Sequence, residues 1–299
     1  GHEKVVTRAY SEEIKIMPND LALLGSNELI KRLEIEYSEL FWTPRILFAG
    51  LLDVPDQNGE TKAQSPVIAT GIDFFSNGSR QVEIWELDRN IVEGVLPKLE
   101  NEAMISSKLA NQLGVSVGEK VTFIGSTMDN AFSTYNFDIV GTFNLRKGQT
   151  DKQMMLVDIS GARNALDMDN AASTILGFYH DLYYDDQKTV DFRSKFNTLN
   201  SDSSDIFSPF MLALRDDNQM GTIVDFSNAM LIIMGGIFLL IVMVVLWNMG
   251  LMNGLRRYGE VGLRLAVGEP KGHVYRSLVF EAFLIGFIGT IIGTIIGLG

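Results

Sequence analysis

Residues Leu251–Glu281 read LMNGLRRYGEVGLRLAVGEPKGHVYRSLVFE, and an apolar run stands on either side. Ala229–Gly250 carries no charged side chain, and Ala282–Gly299 is uncharged to its end. Roughly 20 apolar residues at a rise of 1.5 Å each cross a hydrocarbon core, so the sequence predicts membrane spans at about 229–250 and 279–299. Between them Arg256, Arg257, Arg264, Lys271 and Arg276 stand against Glu260 and Glu269. The preceding Ser201–Asn228 has the opposite balance, Arg215 against Asp202, Asp205, Asp216, Asp217 and Asp225. Basic residues in short loops mark the cytoplasmic side. The bias predicts a cytoplasmic loop at 251–278, an extracytoplasmic segment at 1–225, and a membrane region at 226–299.

The loop has helical periodicity. At 3.6 residues per turn Arg257, Glu260, Arg264 and Lys271 are expected on one face, and Leu255, Tyr258, Val261 and Leu265 on another. Glu260 precedes Arg264 by four residues, the favourable order for a helical ion pair. An amphipathic helix at the inner membrane surface follows. It serves either as an interfacial anchor or as the docking helix of a cytoplasmic partner.

These residues resemble a known family. Asn248-Met249-Gly250-Leu251-Met252, Arg257 and the run Glu260–Gly268 align without gaps to the FtsX-like permease motif, roughly NTMLMSVLERTREIGxRxAxG. Glu281-Ala282 followed by Gly286, Gly289, Gly293 and Gly297 is similar to that family's next span. The sequence departs from the pattern at Arg256, where an acid is usual, and at Gly259, where a base is usual. The resemblance implies a membrane subunit of an ABC transporter of the MacB or LolC/LolE type. Arg257, Glu260, Gly262, Arg264 and Gly268 would then couple the chain to an ATPase partner. It also implies one span before the outer domain and three after it.

Further motifs resemble the periplasmic core of LolC/LolE-type permeases. They are Thr43-Pro44-Arg45, Gly71-Ile72-Asp73, the run Ser107–Val121 and Phe137–Phe143. The resemblance implies two outer lobes, a core lobe and an inserted lobe at roughly 75–150. It favours lipoprotein release from the bacterial inner membrane, with a second permease subunit (homo- or heterodimer) and a periplasmic lipoprotein carrier as partners. The alternatives are MacB-like efflux of peptides or drugs, and an FtsX-like regulator that signals to an extracytoplasmic protein.

Composition sets bounds on the chemistry. The 299 residues carry a net charge of −12 and no cysteine. Residues 251–299 hold five basic and three acidic side chains, which leaves 20 basic and 34 acidic in residues 1–250. So acidic an outer part argues against a nucleic-acid partner, and the lack of cysteine excludes disulfides and thiolate sites. No Gly-x-x-x-x-Gly-Lys-Ser/Thr phosphate loop occurs, so ATP hydrolysis is expected in the partner. His2, His180 and His273 are too scattered for a metal site. The acid pairs Asp185-Asp186 and Asp216-Asp217 read as solvated faces. No Gly-x-Ser-x-Gly elbow occurs. The sequence therefore predicts no catalytic group, metal or cofactor. Gly1–Lys4 leads into no apolar run, so an earlier span is expected beyond this sequence.

The outer segment reads as α/β or α+β. Strands are expected at Ile14–Met17, Phe41–Leu51, Val67–Gly71, Glu102–Ile105, Glu119–Gly125, Tyr135–Phe143, Met154–Val157, Ile175–Tyr183 and Ile206–Leu214. Helices are expected at Asn27–Tyr37 capped by Ser26, at Ser106–Leu113 ended by Gly114, and at Ser160–Leu166 and Thr189–Leu199. Pro44 predicts a strand edge or a strand entrance, and Gln57-Asn58-Gly59-Glu60 a turn. Phe41, Trp42, Phe48, Phe74, Phe75 and Trp85 read mainly as core, with an apolar groove for acyl chains as the functional alternative. Glu281 reads either as a headgroup-level residue or as the buried partner of a loop arginine. Gly286, Gly289, Gly293 and Gly297 fall on one helical face and predict close packing of another helix.

Overall fold

The computed structural model describes residues 1–14, 16–56, 59–76, 79–145, 152–216 and 220–298. The chain forms two compact units, Gly1–Ile223 and Val224–Gly299. Gln57 and Asn58 of the expected turn, Asp217 and Gly299 lie outside the described residues.

The first unit is mixed α/β. It begins with β1 (Glu3–Thr7), α1 (Arg8–Glu13), β2 (Leu23–Leu24) and α2 (Ser26–Glu36). Strands β3 (Leu40–Pro55) and β4 (Thr61–Ile72), short helices α3 (Gln81–Ile84) and α4 (Leu87–Asn90), and β5 (Ile91–Gly94) follow. Next are β6 (Glu102–Ser106), α5 (Ser107–Leu113), β7 (Lys120–Ser126) and β8 (Phe132–Phe143). The unit continues with β9 (Met154–Asp158), α6 (Ile159–Leu166), β10 (Ala171–Ala172), β11 (Thr174–Tyr179), α7 (Asp186–Asn200) and β12 (Pro209–Ala213).

Strand β3 belongs to two sheets. Leu40–Arg45 pairs antiparallel with β11, and Ile46–Pro55 pairs with β4. Its Leu51–Asp53 also pairs with β7. From there the pairings run β7–β8, β8–β6, β6–β9 and β9–β4, so the six strands close on themselves. Closure removes sheet edges, which would otherwise template association with other chains. Phe48, Leu52, Val67, Ile105, Phe123, Phe137 and Val157 belong to the buried cluster of these strands. The Phe48 and Phe123 rings meet edge to face, 5.1 Å apart. Gly50 and Gly125 make room for Phe123: a Cβ on either would stand 2.5 Å from its ring.

The other half of β3 lies in an antiparallel sheet ordered β12-β1-β11-β3. Against it α2 contributes Leu33 and α7 contributes Phe196, which cluster with Val5, Trp42, Ile175 and Met211. A third cluster joins Ile72, Leu87, Met104, Phe143 and Leu156.

Local signals act as expected in several places. The Ser106 hydroxyl accepts from the Leu109 N–H at 3.1 Å, and Gly114 ends α5 at φ 64°. This satisfies orphan groups at both helix ends. Asp158 caps α6 by accepting from the Ser160 N–H at 2.8 Å. Pro44 pairs only with β11, because the β4 register begins at Ile46. Phe48 and Trp42 are core, Phe74 is partly buried against the third cluster, and Phe75 is exposed.

Other expectations are corrected. Ile14, Ile16 and Met17 form no strand. They follow α1, and Met17 takes φ 51°. The strand lies earlier, at β1, and the Thr7 hydroxyl caps α1 by accepting from Tyr10 N–H at 3.1 Å. Ser26 does not cap α2, since Gly25 holds that position at φ 64° and the Ser26 hydroxyl accepts from Arg163 Nη2 at 2.9 Å. Strand β11 stops at Tyr179 ahead of a turn in which Leu182 has φ 61°. Strand β12 starts only at Pro209, after Asp202 and Asp205 engage the main chain of Ser204 and Phe207.

Candidate functional site

The second unit consists of α8 (Met220–Arg256, begun in the first unit), α9 (Tyr258–Ala266) and α10 (Lys271–Leu298). At 1.5 Å per residue the 37 residues of α8 extend about 55 Å and the 28 of α10 about 42 Å. Both are long and apolar enough to cross a membrane. Leu231, Ile232, Phe238, Trp247, Phe283 and Ile296 are exposed along them, as suits a hydrocarbon solvent.

Each break in this unit has a local cause. Arg257, at φ −91° and ψ 4°, leaves the helical line and separates α8 from α9. Gly268 at φ 94° lets the chain turn after α9, and Pro270 precedes α10. Glycine accepts that left-handed conformation without a Cβ penalty. These breaks correct the single-helix reading of the loop. Leu255 belongs to α8, Arg257 precedes α9, and Lys271 opens α10, so Arg257, Glu260, Arg264 and Lys271 do not share one helix face. Within α9 the expected pair is present, Arg264 Nη2 to Glu260 Oε1 at 2.9 Å. Gly262 lies in the body of α9.

Arg257 also reaches α10. Its Nη1 donates to Glu281 Oε2 at 2.6 Å and its Nη2 to Glu281 Oε1 at 2.8 Å. This fork-to-carboxylate geometry is directional and stronger than a neutral hydrogen bond. It fastens the junction before α9 to the third turn of α10. Glu281 thus pairs with a loop arginine, and its side chain is exposed rather than buried in this chain. Gly286, Gly289, Gly293 and Gly297 have no neighbouring atom within 4 Å of an added Cβ, so among the described residues nothing packs on that face. Thr290 and Thr294 bond back to the Gly286 and Thr290 carbonyls at 2.8 Å each.

Outside this unit, three of the four paired acids have structural roles. Asp185 caps α7 through Lys188 N–H, Asp186 pairs with Arg215 at 2.9 Å, and Asp216 pairs with Arg193 at 2.5 Å. His2 Nδ1 accepts from the Tyr179 N–H at 3.1 Å, and burial lowers its pKa. No cluster of metal-ligating side chains occurs among the described residues. Sequence reasoning missed a cleft of about 500 Å³ in the first unit, lined by Lys31, Thr43, Asp73 and Arg163 among others. The residues come from segments far apart in sequence; the only hint was that the motifs Thr43–Arg45 and Gly71–Asp73 both border it.

Residues 232–299 match the family described as FtsX-like permease C-terminal. No curated protein matches the sequence. The chain is similar to the periplasmic region of MacB from Actinobacillus actinomycetemcomitans at 12% identity, covering 74% of this chain and 91% of that one, with a TM-score of 0.48. It is also similar to the extracellular domain of the ABC-type transporter YknZ from Gram-positive bacteria. That pair shares 12% identity over 70% of this chain and 98% of the other, with a TM-score of 0.45.

Proposed function

We infer that the chain is the permease subunit of an ABC transporter, coupling ATP hydrolysis by a partner subunit to movement of cargo outside the inner membrane. The observation that carries this reading is the FtsX-like permease match at residues 232–299, which spans most of α8 and all of α9 and α10. In this reading residues 1–225 are the extracytoplasmic core domain, with an inserted lobe at about 75–150. Residues 226–299 are the permease region, with α9 on the cytoplasmic side.

The geometry supplies a route for coupling. Helix α9 presents the Glu260–Arg264 pair to the ATPase. A push on α9 reaches α10 through Arg257 and Glu281, whose bidentate pair resists rotation better than a single contact. The open glycine face of α10 receives a helix of a second permease subunit, since small residues allow backbones to approach closely. The cargo is lipoprotein released from the inner membrane, passed to a periplasmic carrier.

Affinity purification of the chain from solubilised membranes tests the assignment. An ABC ATPase subunit is expected in stoichiometric amount, and its absence would count against the permease reading. Depletion of the chain tests the cargo. Lipoproteins accumulating in the inner membrane support release. Normal lipoprotein sorting with altered drug or peptide tolerance assigns the chain to efflux instead.

A further inference from the structure

Arg45 of β3 carries a charge that no acid in the fold neutralises. Side chains alternate along a strand, so Arg45 leaves β3 on the face opposite Trp42. There it meets α3 and the residue that follows it. Its Nη2 donates to Gln81 Oε1 at 3.2 Å, and its Cζ stands 5.1 Å from the centre of the Trp85 ring. Its Nε is buried and has no hydrogen-bond partner among the described residues. Burial, with no carboxylate to oppose it, lowers the pKa of the guanidinium to about 10. A buried charge without a counter-charge is costly.

The acids of the adjoining segments are engaged elsewhere. Asp73, just past β4, accepts from the N–H groups of Phe75 at 3.2 Å and Ser76 at 2.9 Å. Asp158 accepts from those of Phe74 at 3.0 Å and Ser160 at 2.8 Å. Glu83 of α3 holds Arg80 at 2.7 and 3.0 Å, and Arg80 Nη1 donates to the His180 carbonyl at 2.7 Å, so that pair is already neutral.

Two more buried groups near Arg45 lack partners among the described residues. Gln81 is 1% exposed; its Oε1 serves Arg45, and its Nε2 has no acceptor. Thr43, two residues before Arg45 on the same face of β3, is 6% exposed, and its hydroxyl is unpartnered. Arg45 Nε and Gln81 Nε2 can only donate, and the Thr43 hydroxyl can donate as well. A water accepting from them must also place two hydrogens of its own. The apolar cluster that Trp85 and Val82 pack against supplies no side-chain acceptor for these. An anion has no hydrogens to place, suits a set of donors, and neutralises Arg45.

We propose that Arg45, Gln81 and Thr43 hold a small monovalent anion of the halide class, which fastens α3 to β3. One charge suffices because one cation is uncompensated, and a small ion suits donors that are buried. The inference does not depend on the transporter reading.

Crystals of the full chain grown in detergent with sodium bromide test this by anomalous scattering. A bromide peak is expected within about 3.5 Å of Arg45 Nε and Gln81 Nε2. Thermal unfolding gives a second measurement, with sodium chloride exchanged for sodium methanesulfonate at constant ionic strength. In the parent chain each tenfold rise in chloride above its dissociation constant should raise the midpoint of the first unit by about 3–6 °C. Gln81→Leu and Arg45→Met should each remove that dependence; if Arg45→Met does not fold, Gln81→Leu still decides. Ordered water in place of bromide at Arg45, or the same chloride dependence in parent and variants, would overturn the proposal. These measurements use the purified chain, so their failure leaves the ATPase partnership untouched, and loss of that partnership leaves the anion site untouched.

Discussion

Glu3 gives a stability prediction with a defined sign. It sits in β1 between Gly177 of β11 and Ala213 of β12, and it is fully buried. Neither carboxyl oxygen has a hydrogen-bond partner among the described residues. Burial pushes its pKa from 4.5 up to about 9; the Arg193 guanidinium pulls it down, and the Asp216 carboxylate, 2.5 and 2.7 Å from that guanidinium, pushes it up. The folded state therefore keeps a proton that the unfolded chain loses above pH 4.5. Stability is highest below that pH and falls as pH rises towards 9. At pH 7 the cost is 2.5 pH units at about 1.36 kcal/mol each, or ~3 kcal/mol. Glu3→Gln keeps the shape and removes the titration. At pH 7 it should raise the unfolding midpoint by about 6–12 °C for a unit of this size. Thermal unfolding of the full chain in detergent, followed by circular dichroism between pH 5 and 8.5, reads the effect. The gap between variant and parent should close towards pH 5. Parallel curves across that range would refute the buried neutral acid.

Three other expectations follow from particular contacts. Ser126→Cys should react with an impermeant thiol reagent in intact cells and Gly272→Cys only after permeabilisation; the reverse pattern would invert the topology. Ser106→Ala should cost about 1 kcal/mol, read by denaturant titration, since the Leu109 N–H loses its cap; a change under a few tenths would show that α5 does not need it. Arg257→Glu and Glu281→Arg should each lower coupled ATP hydrolysis, while the double variant recovers part of it; equal loss in all three would show that the pair does not transmit motion.

Much of the fold was legible where the determinants are local. Ser106 and Gly114 bracket α5 within eight residues, and the alternating apolar residues of β7 and β8 meet across one turn. The long apolar runs read as α8 and α10 for the same reason. Where distant residues decide, the sequence was silent. Strand β1 contains Glu3 and Lys4 and does not look apolar, yet two partner strands bury it. Closure of the six strands depends on β3 reaching β7, a pairing that no local pattern announces. In the candidate site the Glu260–Arg264 pair follows from spacing alone. The Arg257–Glu281 link spans two helices, and the turn at Gly268 decides which residues share a face.

The central claim is that α9 receives the work of a partner ATPase. Its most direct test is ATP hydrolysis by the complex reconstituted in lipid, comparing the parent chain with Glu260→Lys. The substitution removes the ion pair with Arg264 and adds a third basic residue to Arg257 and Arg264 in this short segment. The account predicts loss of cargo-stimulated hydrolysis with the thermal midpoint of the first unit unchanged. Unaltered stimulated hydrolysis in a complex that still contains both subunits would contradict it.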